Sequence, residues 1–318
     1  MHVFVAGATG AMGVPLVRRL VAAGHRVTGL TRSEAKRPLL ERLGATVAVG
    51  DVFDRERLGA VLQQARPDAV VHLLTALPEQ GPMRASDLVA TNRLRGEGTK
   101  NLVEASIAAG VRRLVAESIV LVYGFGQHGP ERLTEEHPVA RSSPRPWLQP
   151  TIDGGLALEE TVLSAARAGK LEGVVLRYGF VYGAEAGSTR LTLRMVKQRR
   201  MPLVGDGSGL WSWIHLEDAA TATLAALERG HSGEVYNIVD DEPVTWSDYL
   251  PHLAQVLGAP RPWRLPVWLF RLVAPYAVIA LTSRIPVSNA KARRELGWQP
   301  RYPTYREGLA SLSQAGAP

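Results

Sequence analysis

Apolar residues fall along the first half of the chain in two alternating patterns. Short continuous runs read as buried strands, and longer stretches with apolar positions three and four apart read as helices. HVFVAG (2–7) is the first run, followed by helical spacing over 13–23 that Gly24 closes as a C-cap. HRVTGLTR (25–32) and ATVAVGD (45–51) predict the next two strands, separated by a helix over 34–43 that ends at Gly44. A helix over 54–65, a strand DAVVHLL (68–74), a long helix over 86–109 and a strand RRLVAESI (112–119) follow. After a loop rich in Gly, Pro, His and Arg (124–150) come a helix over 152–168 and a sixth strand, GVVLRYG (173–179).

Strands recurring at this spacing with helices between them imply parallel pairing through crossover helices. The predicted fold is α/β, a doubly wound parallel sheet. After residue 183 the alternation breaks down. The expectation is a sheet domain over 1–182, a return to the sheet within 211–240 (GEVYNIV, 233–239), and a small mixed cap from 183–210 and 241–318.

Composition narrows the chemistry. The 318 residues are 46% hydrophobic, enough for one large domain or two packed ones. Cysteine is absent, which excludes disulfides and thiolate-bound metal. The eight histidines form no HxH or HExxH pattern and no GxSxG occurs, so no metal site is expected. MHVFVAG enters a strand without a charged leader, and a cytoplasmic protein is expected. The net charge of +7 comes from scattered arginines, with no nucleic-acid-binding signature. A small phosphate-bearing ligand explains the excess better than nucleic acid does. LPVWLFRLVAPYAVIALTS (265–283) approaches membrane-span length, but Arg271, Pro266 and Pro275 interrupt it. It reads as a buried or partner-facing helix pair, not an integral span, with peripheral membrane contact as the minor alternative.

GATGAMG (7–13) lies between the first strand and the first helix. Gly7 permits a tight turn, Gly10 lets backbone approach a pyrophosphate, and Gly13 lets the helix pack close to the sheet. Free N–H groups at the helix start then face the phosphates, with Thr9, Ala11 and Met12 completing the loop. Three glycines in this context are specific for a dinucleotide. The second strand ends in LTRSEAKR, with Arg32 and Ser33 where NAD binders carry an acid. An arginine and a hydroxyl suit the 2′-phosphate of NADP(H). Asp51 is placed to accept from the adenine amino group.

These residues resemble the extended short-chain dehydrogenase/reductase superfamily, in particular its NAD-dependent epimerase/dehydratase branch. GATGAMG matches its glycine motif, GDVFD (50–54) its adenine-side segment, and VVHLLT (70–75) its fourth strand. TNRLRGEGTKNLVEAS (91–106) resembles the helix that carries the family's asparagine, here Asn92. LRYGFVYG (176–183) looks like its sixth strand, with Tyr178 where proline is usual. PLVGDGSGLWSWIHLEDAA (202–220), GEVYNIVDDEPVTWSDY and NAKARRELGWQPRY are similar to its later signatures. The resemblance implies a Rossmann-type sheet, with Val52, Leu73, Leu74, Asn92 and Tyr178 on the cofactor, and a homodimer through the helices near 86–109 and 152–168.

The family's hydride chemistry uses a hydroxyl residue, a tyrosine and a lysine four positions after it. Here Ile119 holds the hydroxyl position with Ser118 one residue away, and QPTIDGGLALEE (149–160) puts Thr151 at tyrosine and Gly155 at lysine. None of the eight tyrosines has lysine four residues later, so no other register restores the pair. Candidates to move a proton instead are Tyr178, Tyr123, Ser118 and Asp153, with Glu117, Tyr182 and His128 also weighed. Each has a plain alternative in packing or helix capping. Gly154 and Gly155 lower helix stability by about 1 kcal/mol each relative to alanine, so they mark either a need for space or a late helix start. Arg190, Arg194 and Lys197 share a helical face suited to an anionic substrate or to solvent.

The leading expectation is an atypical NADP(H)-dependent oxidoreductase of a small, mostly apolar molecule. Thr75, Thr151, Tyr178, Phe180, Trp211 and Trp213 would line its pocket. A non-catalytic dinucleotide sensor or scaffold is the alternative, and a sugar-nucleotide epimerase or dehydratase with displaced residues ranks below both.

Overall fold

The computed structural model describes residues 1–143 and 145–314. Its first half follows the predicted alternation. β1 (His2–Ala6) leads through the glycine loop into α1 (Gly13–Ala22), and β2 (Arg26–Thr31) leads to α2 (Arg37–Arg42). β3 (Thr46–Val49) precedes α3 (Arg55–Ala65), which Asp54 caps by accepting the Arg57 N–H at 2.9 Å. β4 (Ala69–His72) leads to the expected long helix, which is broken. A 3₁₀ turn at Ala85–Leu88 enters α4 (Val89–Arg93), a π turn spans Leu94–Gly98, and α5 (Thr99–Ala108) completes it. The wider π turn re-phases the helix face, as such turns often do at functional sites. β5 (Arg113–Ile119), α6 (Gln149–Arg167) and β6 (Glu172–Tyr178) follow.

Beyond β6 the elements are short. β7 (Phe180–Tyr182), α7 (Gly187–Lys197), β8 (Leu203–Val204), β9 (Leu210–Trp211) and β10 (Trp213–His215) precede α8 (Leu216–Arg229). β11 (Val235–Ile238) then joins the main sheet beside β6. β12 (Val244–Thr245), α9 (Trp246–Val256), β13 (Arg264–Leu265), α10 (Val267–Val273), α11 (Pro275–Thr282), β14 (Arg284–Ile285), α12 (Ala290–Leu296) and α13 (Tyr305–Gln314) complete the described chain.

The seven-stranded sheet runs β11-β6-β5-β4-β1-β2-β3 and is parallel throughout. The chain leaves β1 in one direction for β2 and β3, then returns to its other side for β4. This is a topological switch point, where open α/β sheets bind ligands at the strands' carboxyl ends. Side chains alternate across the sheet. Val3 and Val5 pack with α1 and α8, while Phe4 and Ala6 pack with α3 and α5. A third core holds Trp211, Trp213, Tyr249 and Tyr276 together with Val120, Leu148 and Ile152. The C-terminal segments therefore share one core with the loop after β5 and the start of α6.

Candidate functional site

The glycine loop is shaped so that side chains cannot enter it. Gly7 has φ +95°, and a Cβ there would lie 2.5 Å from the Leu73 carbonyl oxygen. A Cβ on Gly13 would lie 2.1 Å from the Gly7 carbonyl oxygen. Gly10 and Ala11 are exposed at the turn, Thr9 is partly so, and Met12 is buried. Met12 offers α1 no side-chain cap, and the N–H groups of Ala11 and Met12 have no backbone partner. Those unpaired donors, with the helix dipole behind them, fit a diphosphate.

At the end of β2, Arg32 sits 4.0 Å from Asp51, and both are exposed enough that solvent weakens the pair. Asp51 also accepts the Phe53 N–H at 2.9 Å, and the Ser33 N–H donates to Thr31 Oγ1 at 3.2 Å. Val52 is buried, and its carbonyl accepts from Asn101 Nδ2 at 3.1 Å. The end of β2 thus presents a loosely held guanidinium on a firmly held loop. Leu73 is buried behind the glycine loop, with Leu74 and Thr75 progressively more open. Asn92 packs on α6, where its buried Oδ1 lies 3.2 Å from a Cβ built on Gly154 and has no partner.

Four residues expected at the reacting end serve other roles. Ser118 donates to Glu159 Oε1 at 2.6 Å, and Arg177 clamps the same carboxylate at 2.9 and 2.7 Å. Arg177 also donates to the Tyr123 hydroxyl at 2.9 Å, and that hydroxyl donates to Asn237 Oδ1 at 2.9 Å. Ser118 and Tyr123 are therefore members of a buried network that ties β5, α6, β6 and β11 together. Tyr178 is turned into the core between the sheet and α8, its hydroxyl 2.6 Å from Thr223 Oγ1. Burial pushes its pKa well up, and its hydroxyl is committed to Thr223 inside the core. Asp153 is exposed and accepts from Gln149 Nε2 at 2.8 Å. α6 starts earlier than predicted, so Asp153 lies past its first turn and caps nothing.

The expected aromatic wall is also mostly core. Trp211 donates to the Ala280 carbonyl at 2.6 Å, and Trp213 stacks on Tyr249 at 4.2 Å. Phe180 stays partly open, packed edge-on against Trp211 at 4.4 Å. Arg190 is spent on the Ala184 and Glu185 carbonyls at 3.1 and 2.7 Å.

The two glycines of α6 are neither frayed nor spacious. Both are buried, and a Cβ on Gly155 would lie 2.6 Å from Val122 Cγ1. Val122 fills the space that the Cβ of any side chain at this position would enter. At the tyrosine position Thr151 is 2% exposed and lies close enough to the hydroxyl of Tyr276, which reaches in from α11, to pull its pKa down slightly. Arg95, from the π turn and 3% exposed, lies within electrostatic reach of both Tyr276 and Glu117. Burial raises the Tyr276 pKa and the Arg95 charge counters it in part. Glu117 is partly open at the end of β5, where desolvation raises its pKa to about 7 against the pull of Arg95. His72 is held neutral, its pKa lowered to about 4 by burial and then by Arg95. It contacts Thr99 Oγ1 at 2.8 Å and accepts the Leu74 N–H at 3.2 Å.

Arg95 and Tyr276 escaped the sequence reading. Arg95 occupies an apolar-phased position of its helix, a signal that a buried charge was present. Tyr276 lies in the apolar stretch read only as packing, and nothing local marks its approach to Thr151.

The sequence profile of the NAD dependent epimerase/dehydratase family matches residues 3–239. The chain belongs to that family. It is 41% identical over 312 residues to the 3-diazoavenalumate denitrifying reductase of a Streptomyces species, covering 97% of this chain and 99% of the relative. It is 30% identical to the 4-hydroxy-2-methyl-3-oxo-4-farnesyl-3,4-dihydroquinoline-1-oxide ketoreductase of Stigmatella aurantiaca, covering 99% and 97%. The fold matches that of the UDP-glucose 4-epimerase of Thermus thermophilus in complex with NAD, at TM-score 0.81 and 24% identity over 99% and 98% of the two chains. This family member is an enzyme of NAD(P)-dependent oxidoreductase type, with a nicotinamide dinucleotide as its cofactor. No described helix is long and apolar enough to cross a membrane.

Proposed function

We propose that the chain is an NADP(H)-dependent reductase of a small, mostly apolar aromatic whose reducible group needs no protonated oxygen, with a diazo or diazonium group as the leading class. The observation that carries this reading is the occupation of the lysine position by Val122 beside Gly155. A tyrosine–lysine couple exists to move a proton at a carbonyl or hydroxyl oxygen. An acceptor that takes hydride at nitrogen and then loses dinitrogen has no such oxygen to serve. The 41% identical relative is named for a diazo compound and a denitrifying reduction, and we carry that class over.

A bound reduced nicotinamide would supply the hydride. The glycine loop and the N-terminus of α1 would hold the diphosphate, with Arg32 and Ser33 on the 2′-phosphate and Asp51 and Val52 at the adenine. Phe180, Leu74 and Ile119, all partly open at the strand ends, would present an apolar surface to the substrate ring and exclude water. Thr75 would close its outer side. The overall step balances as aryl diazonium plus NADPH giving arene, dinitrogen and NADP⁺. For a neutral diazo-quinone form one further proton is needed, and the Glu117 carboxyl, titrating at about 7, would give it.

A second reading rests on Tyr276. Its hydroxyl, close to Thr151 and within electrostatic reach of Arg95, would be a relocated acid for a ketone, with arginine in place of lysine. A panel of aryl diazonium salts, quinone diazides and ketones, read by NADPH consumption above the enzyme-free rate, separates the two. Turnover of diazo compounds unaffected by Tyr276→Phe supports the first. Turnover of ketones alone, lost in that variant, sinks it in favour of the second. We further infer a cytoplasmic homodimer through α4–α5 and α6. A monomeric mass by light scattering would count against the dimer.

A further inference from the structure

The seven residues of α10 contain no buried side chain, although six of them are apolar. Trp268 is 68% exposed, Leu272 71% and Val273 59%. Leu269 and Trp263 extend the same surface. The segment is nevertheless held in place. β13 pairs with β8, the Trp263 indole donates to the Arg199 carbonyl at 3.0 Å, and Val267 packs on the turn at Gly205. A fixed helix that turns most of its apolar surface to water lowers solubility unless something covers it.

The surrounding charge says what that is. No Asp or Glu occurs between Asp248 and Glu295, while Arg261, Arg264 and Arg271 fall in that stretch and are exposed. Arg199 and Arg200 add to the same side through the Trp263 contact. Among the described residues Arg199, Arg200, Arg261 and Arg271 make no ion pair, and Arg264 faces only the exposed Asp206. Exposed tryptophan and leucine rimmed by unpaired arginines is the chemistry of an anionic lipid surface, where the apolar side chains sink to the acyl boundary and the cations stay at the headgroups. A second copy would have to bring this dense positive charge against itself.

We propose that α10 and its flanking arginines dock the enzyme on anionic lipid membranes as a peripheral, non-spanning contact. The test is co-sedimentation of the full-length protein with phosphatidylcholine vesicles, with and without phosphatidylglycerol. Tryptophan emission and light scattering are followed in parallel. The expected result is binding only with phosphatidylglycerol, a blue-shifted emission, and loss of binding at high salt. Trp268→Ser with Leu272→Ser should weaken it at least tenfold, as should Arg271→Glu with Arg264→Glu, and NADPH turnover in solution should not change. Three results would overturn the proposal. They are no binding to either vesicle, binding indifferent to both variant pairs, or a solution dimer that the Trp268 and Leu272 pair converts to monomer.

Discussion

The two ends of the cleft have been treated in opposite ways. At the glycine loop, backbone stands where side chains would be, and Gly7 and Gly13 leave no room for a single added carbon. At the start of α6, Val122 fills the space beside Gly155, and a buried Thr151 stands near the Tyr276 hydroxyl. The lesson is that binding and chemistry are separable on one sheet. Cofactor geometry depends on backbone shape, which tolerates no change. Proton chemistry depends on side chains, which can be exchanged once the substrate no longer requires them.

The largest effect should come from spoiling the intact end. Gly13→Val pushes side-chain atoms into the Gly7 carbonyl, and NADPH binding measured by tryptophan fluorescence should fall by at least a hundredfold, with lowered thermal stability. Next is an attempt to rebuild the other end. Gly155→Lys must displace Val122, so overpacking should cost about 1–3 kcal/mol by urea denaturation. Thr151→Tyr with Gly155→Lys should not create ketone reduction. If it did, the site would be an intact relay lacking only its residues, and the contrast would fail.

Arg32→Ala should narrow the preference for NADPH over NADH by roughly tenfold, about 1.4 kcal/mol for one exposed charge-assisted contact. An unchanged ratio would remove Arg32 from the cofactor. A separate effect, on stability and not on binding, concerns Glu117. Its folded pKa of about 7 lies above the ordinary 4.5, so the unfolded chain releases this proton first as pH rises. Its contribution to stability is full below about 4.5 and is lost as pH rises through 7. Glu117→Gln should flatten urea-denaturation stability across that window, and a slope equal to the wild type would place the titration elsewhere.

Legibility in the sequence followed the same divide. Continuous apolar runs and the glycine loop foretold the parallel sheet, because strand burial and tight turns leave local signals. The return of the chain at β11 was visible in GEVYNIV for the same reason. The long helix was read as one piece, since the π turn at Leu94–Gly98 has no glycine or proline rule that separates it from α-helix. Tyr178 and Trp211 looked exposed to the cleft because strand position was known and facing was not. Their partners, Thr223 and the Ala280 carbonyl, are distant in sequence. Tyr276 was hidden for that reason too, since its meeting with Thr151 exists only after the cap has folded onto α6.

The central claim is that hydride transfer here proceeds without a proton relay at positions 151 and 155. The most direct measurement pairs dinitrogen release with consumption of NADPH deuterated at the nicotinamide C4, using an aryl diazonium substrate and both wild type and Tyr276→Phe. The account predicts one dinitrogen per NADPH, a rate slowed by the deuterium, and equal turnover in the two proteins. Dinitrogen release that does not track NADPH, or that vanishes in Tyr276→Phe, would contradict it.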